Sequence, residues 1–186
     1  AFDATQIGAL NATQVRGLTV TQLAALDAAD IAEFTTTQIA GMTTTQLRAF
    51  DATQVAAFAE TQIAALTTTQ LQAFTTTNLS AFTDTQAAAL TTTQISSLLA
   101  SQVAGLAAAD IAEFTNTQLA ALTTTQVRSL TQTTLGALVD TQIAAFTGTQ
   151  LQAISSTALV ALADSQIGAL TATQVAALNT SQVRAF

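Results

Sequence analysis

Residues 34–42 read Phe34-Thr35-Thr36-Thr37-Gln38-Ile39-Ala40-Gly41-Met42, and the spacing inside this stretch is that of a helix start. Thr35 and Gln38 stand three apart as a capping box. In such a box the Thr hydroxyl accepts from the N3 amide and the Gln side chain reaches back to the N-cap amide. Phe34 and Ile39 flank the pair at N′ and N4, the positions of a hydrophobic staple. Ala40 then adds a residue that favours helix.

Working outward, the same unit fills the chain. Residues 3–186 divide into 23 octads without an insertion or deletion, from Asp3–Leu10 to Asn179–Phe186. The consensus approximates TTTQIAAL. Position 1 is Thr, Ser, Asp or Asn in most octads, and position 3 is Thr or Ser in nearly all. Position 4 is Gln in 18 of the 23, position 5 is Ile, Leu or Val except at Ala87, and position 8 is always a large apolar residue. Position 7 is Ala, Gly or Ser except at Glu33 and Glu113. The expected organisation is therefore a single octapeptide-repeat array over residues 1–186, cut from a longer array because no polar capping repeat closes either end.

One continuous helix is excluded by its own geometry. At about 100° per residue, the apolar seam would drift by about 80° per octad and could not face one partner. The chain must turn near positions 8 and 1. A β-solenoid is the rival, since Thr, Ile and Val favour strands. However, positions 5 and 8 lie an odd distance apart and would face opposite sides of a strand. The expected fold is all-α: a solenoid of very short helices, one per octad, whose positions 5 and 8 form a shared core. No octad buries enough apolar surface to stand alone, so neighbours must stack.

A longer period overlies the octad. Asp27–Phe34 (DAADIAEF) returns 80 residues later as Ala107–Phe114 (AAADIAEF), and Arg48, Gln72, Glu60 and Asp84 return as Arg128, Gln152, Asp140 and Asp164. Glu33 and Arg48 lie two octads apart, as do Glu113 and Arg128. Pairing between them predicts two octads per layer. About eleven such layers, with helices 8–10 Å apart, would make a rod on the order of 100 Å long.

Composition narrows the function. Of 186 residues, 49% are hydrophobic and 8% charged, with a net charge of −7 and no Cys, His or Pro. Disulfides and thiol chemistry are excluded, and the usual zinc and haem ligands and general bases are missing. Four Arg and no Lys cannot neutralise a phosphate backbone, so no nucleic-acid partner is expected. Mean hydropathy is +0.45, yet no apolar run approaches the roughly 18–20 residues that a spanning helix needs. Neither membrane insertion nor a secretory leader is expected within these residues.

The residues that could carry chemistry each have a plainer structural reading. Asp27, Asp30 and Glu33, echoed by Asp110 and Glu113, could offer oxygen ligands to calcium. Asp30 and Asp110 also stand where Gln caps the other octads, and that reading is preferred. Arg16, Arg48, Arg128 and Arg184 all occupy position 6, as an anion-binding stripe or as tolerated solvent-facing side chains. The nine Phe residues, Phe2 and eight at position 8, read as core. Thr rows could match a periodic lattice, but the Thr at positions 1 and 3 are needed for caps and turns. No catalytic, cofactor-binding or metal residue is assigned.

Thr43–Phe50 (TTTQLRAF), Thr91–Leu98 (TTTQISSL) and Thr123–Leu130 (TTTQVRSL) resemble octapeptide tracts of very large proteobacterial secreted or surface proteins of adhesin-like type. The resemblance spans the chain and rests on composition. It implies an extracellular or cell-surface setting and a passive, extended role, and transfers no functional residue. A non-enzymatic spacer or stalk is the leading expectation. The alternative is an interaction module that binds a protein, glycan or periodic surface along one face. End-to-end self-association is a further expectation, since terminal layers would expose matching core, including Leu10 and Phe186.

Overall fold

A computed structural model describes residues 4–186, with the side chains of residues 5–186. Phe2, assigned to the core above, and Asp3, which opens the first octad, lie outside the described residues. Among the described residues every octad forms one helix of four to six residues, from α1 (Ala4–Ala9) to α23 (Thr180–Val183), so helix numbers equal octad numbers. The solenoid of short helices is thus what the chain forms.

Local chemistry accounts for each helix. At α5 (Thr36–Gly41) the Gln38 amide N–H donates to Thr35 Oγ1 at 3.2 Å, and the Thr35 N–H donates to Gln38 Oε1 at 2.6 Å. Phe34 and Ile39, the staple pair, are both buried. The helix ends as the Met42 N–H donates to the Ile39 carbonyl at 3.1 Å. Met42 is extended (φ −65°, ψ 147°) and leads into the extended N-cap Thr43 (φ −79°, ψ 157°). No described residue has a positive φ. The usual left-handed glycine stop is therefore replaced by two extended residues at positions 8 and 1.

Five octads open with Ala59, Leu99, Ala107, Val139 or Ala163, none of which provides a side-chain cap. Their helices persist because the position-4 side chain still accepts from the N-cap amide, as Gln62 does from the Ala59 N–H at 2.6 Å. Half of the box therefore suffices. Thr67→Ala should accordingly cost only about 1 kcal/mol, readable as a small shift in the urea midpoint with an unchanged slope.

The chain divides into two compact units, Ala1–Gln94 and Ile95–Phe186. In the first, α2 (Ala12–Arg16), α5, α8 (Glu60–Ala65) and α11 (Asp84–Ala89) pack in succession, each against the helix three octads on. In the second, α13 (Ala100–Gly105), α16 (Thr124–Arg128), α19 (Gly148–Ala153) and α22 (Ala172–Ala177) do the same. The two-octad layer is therefore corrected: stacking joins octads three apart. Arg48 confirms the correction, because its Nε donates to the Ala73 carbonyl, three octads on, at 3.1 Å and makes no pair with Glu33. The expected 100 Å rod rested on the two-octad layer and goes with it.

Close approach at the stacked contacts explains the small residue at position 7. A Cβ on Gly41 (position 7) would lie 2.9 Å from the Ala12 Cβ (position 2, three octads earlier), and one on Gly148 (position 2) 2.7 Å from the Ala177 Cβ (position 7). Ala73, also at position 7, is buried. Ala73→Leu should overpack this contact and destabilise by about 1–3 kcal/mol, measured as a lowered melting temperature.

Position 5 supplies a fully buried residue from Ile7 to Leu159, except that Leu79 is 5%, Ala87 3%, and Val103 and Val127 1% exposed. Among the position-8 rings, Phe50 and Phe58 meet edge to face at 5.4 Å, and Phe74 and Phe82 at 6.1 Å. Seven of the nine Phe are buried, as expected for a core; Phe186 is exposed.

Candidate functional site

The capping box uses only the oxygen of each position-4 amide. From Gln38 onward these Gln side chains are buried, and their nitrogen atoms point back along the chain. Gln70 Nε2 donates to the carbonyls of Ile39, Ala40 and Met42 at 2.9, 3.1 and 2.8 Å. Gln46 donates to Val15, Arg16 and Leu18 at 2.8, 3.2 and 2.9 Å. In the second unit Gln150 reaches Leu119, Ala120 and Leu122, and Gln182 reaches Leu151 and Ile154. The acceptors are always the C-terminal carbonyls of the octad four places earlier, 28 to 31 residues back.

The position-5 carbonyl among them also accepts from the position-8 N–H of its own octad, as Ile39 does from Met42. Those at positions 6 and 8, such as Ala40 and Met42, are ends that a short helix leaves for an outside donor. One amide thus satisfies the N-terminus of its own helix and the C-terminus of another. Helices stack on the octad three on, and amides reach four octads back, so one turn of the solenoid takes between three and four octads. The array also has a direction. Ile7, Val15 and Leu23 in the first three octads are fully buried, whereas Val175 and Val183 near the end are about half exposed. Gln14 and Gln22 show the reverse, being exposed while Gln174 and Gln182 are buried.

The residues weighed for chemistry are placed as follows. Asp27 and Asp30 form a capping box, the Asp30 N–H donating to Asp27 Oδ1 at 2.9 Å and the Asp27 N–H to Asp30 Oδ2 at 3.2 Å. Asp110 likewise accepts from the Ala107 N–H at 2.9 Å. Among the described residues no cluster of three or more acidic side chains could hold a metal ion. Arg48 is engaged with the Ala73 carbonyl. Position-1 Thr hydroxyls, such as Thr67 and Thr171, accept from the position-4 amide and are committed to caps.

A cavity of about 590 Å³ lies among the first three octads, lined by Gln6, Ile7, Leu18, Thr21, Gln22, Ala25 and Leu26. Its lining has amides and one hydroxyl but no ionisable group, so nothing in it can exchange protons at neutral pH. Gln6 and Gln22 are the counterparts of the residues that are buried from Gln38 onward. No helix among the described residues is long and apolar enough to cross a membrane.

The functional feature that the sequence reading missed is the donor half of position 4. Its signal was present: position 4 is Gln in 18 octads and Glu in none, although Glu completes a capping box equally well. Of the two, only the Gln amide both accepts and donates.

No curated protein matches this sequence. The family model of the ALTTAQ repeat matches four times, over residues 23–60, 31–68, 63–100 and 143–180, and these spans cover more than half of the chain. The string ALTTTQ, as in Ala65–Gln70, runs from positions 7 and 8 through 1 to 4 of the octad. It takes in the small contact residue, the staple residue, the cap and the bridging amide. The chain belongs to the ALTTAQ repeat family.

Proposed function

We propose that this chain is a non-enzymatic spacer: a structural array that holds other parts of a large secreted or cell-surface protein of adhesin-like type at a set separation. One observation carries the reading. The position-4 amide, present in 19 of the 23 octads, is buried from Gln38 onward and spent on joining one turn to another. A binding or catalytic residue would instead be turned toward a ligand. The position-1 Thr hydroxyls and the Asp27–Asp30 pair are spent on caps.

The reading is tested by distance. The chain has no Cys, so spin labels placed on new cysteines at Ser101 and Ser165 report one separation within the second unit. Deleting the two octads 123–138 should shorten that separation while the far-ultraviolet helical signal per residue is retained. A separation that does not change with octad number would defeat the spacer reading.

A further inference from the structure

We propose that the second unit contains a built-in weak seam, at which octads 17 and 20 part from octads 13 and 16 before the rest of the array yields. Position 4 departs from an amide three times in the second unit. Asp110 in octad 14 keeps the acceptor for its N-cap amide, and the observation is the other two, a pair of aligned gaps that supply neither half. Octad 17 has Thr134 at position 4, and octad 20 has Ala158. The Thr134 hydroxyl is 2.9 Å from Thr131 Oγ1, within its own octad, and Ala158 has no polar atom to offer.

Extending the four-octad rule, Thr134 stands where an amide would serve the carbonyls of Val103 and Leu106, and Ala158 where one would serve Val127 and Leu130. Among the described residues no side chain donates to these four carbonyls, although all four residues are buried. Those of Val103 and Val127 keep only the backbone N–H of Leu106 and Leu130, at 3.3 and 3.1 Å. The N-cap amides of Thr131 and Ser155 also lack the acceptor that Gln gives elsewhere. Neighbouring positions have their full set: Gln126 reaches Ile95 and Leu98, Gln142 reaches Ala112 and Phe114, and Gln166 reaches Leu135 and Leu138.

Stacking turns two isolated gaps into one feature. Helix α17 (Gln132–Gly136) packs on α20 (Ser156–Leu159), and α13 packs on α16. The two missing bridges therefore lie one above the other and weaken the same side of successive turns. In the first unit position 4 has no such gap from Gln38 to Gln94; its one departure, Asn78, still donates to the Phe50 carbonyl at 2.9 Å. For a spacer this seam sets where extension under load begins, so the consequence rests on the proposed function while the seam itself does not.

Hydrogen exchange followed by mass spectrometry on the full chain tests it, because local opening exposes amides without global unfolding. Peptides 131–138 and 155–162 have counterparts 80 residues earlier, 51–58 and 75–82, that keep a position-4 amide. The seam peptides should exchange at least about tenfold faster than these counterparts. In T134Q/A158Q the difference should fall to about twofold or less. Should that variant misfold, Q54A in the first unit provides the converse, raising exchange over 51–58 toward the seam value. Equal exchange in the unmodified chain, or rates unmoved by either variant, would overturn the proposal. A spacer that fails the distance test while the seam peptides still exchange fast would lose its function and keep its seam.

Discussion

Gln70→Glu should destabilise the first unit by about 3–5 kcal/mol at pH 7 and by much less at pH 4. The substitution preserves shape and the acceptor for the Thr67 N–H, which is 2.8 Å from Gln70 Oε1. It replaces the donor that serves Ile39, Ala40 and Met42 with a carboxylate oxygen facing three carbonyls. A buried charge without a partner is the costly case. Burial among acceptors disfavours the ionised form, so the folded pKa rises above the roughly 4.3 of a free Glu. A raised folded pKa means that stability is full below the unfolded pKa and is lost as pH climbs through the folded one. Urea midpoints for Q70E should therefore fall from pH 4 to pH 7 relative to the parent chain. A pH-independent loss would mean that the amide nitrogen contributes shape alone.

Phe58→Ala is expected to cost about 3–5 kcal/mol. Phe58 is 4% exposed, and its ring stands edge to face with Phe50 at an interplanar angle of 84°, so the deletion removes both transfer energy and a favourable ring contact. The Phe58 backbone also matters, since its carbonyl accepts from Gln86 Nε2 at 2.5 Å. Phe58→Leu keeps the bulk and the backbone bond, and should recover most of the loss. Since both variants keep that backbone carbonyl, thermal unfolding of the two separates the contribution of side-chain bulk from that of the aromatic ring. A loss under about 1 kcal/mol for Phe58→Ala would show that position 8 can collapse without its large side chain.

The helices were legible at the level of eight residues because every signal for them is local. Thr35, Gln38, Phe34 and Ile39 all act within one octad boundary, and the structure places them as the capping box and staple require. The number of octads per turn was not legible, because nothing inside an octad encodes it. Glu33 and Arg48 invited a two-octad pairing, but Arg48 reaches Ala73 instead. The residues that do record the turn are small ones, such as Gly41 against Ala12. Position 7 is small almost throughout, so its partner three octads away leaves no distinguishing mark. The ladder could have been inferred from the absence of Glu at position 4, which becomes meaningful once the backward-reaching amide is seen.

The turn without glycine bears on how such a gene changes over generations. With no described residue in the left-handed region, no octad boundary among them demands a special amino acid, and any octad can follow any other. In-frame gain or loss of a whole octad leaves each bridging amide facing carbonyls of the same kind, merely belonging to a different repeat. What such an event scrambles is the matched pairing of small residues, as at Gly148 and Ala177. Copy number is thus the inexpensive variable, and the recurrence of DAADIAEF as AAADIAEF 80 residues on is the trace that block-wise growth would leave.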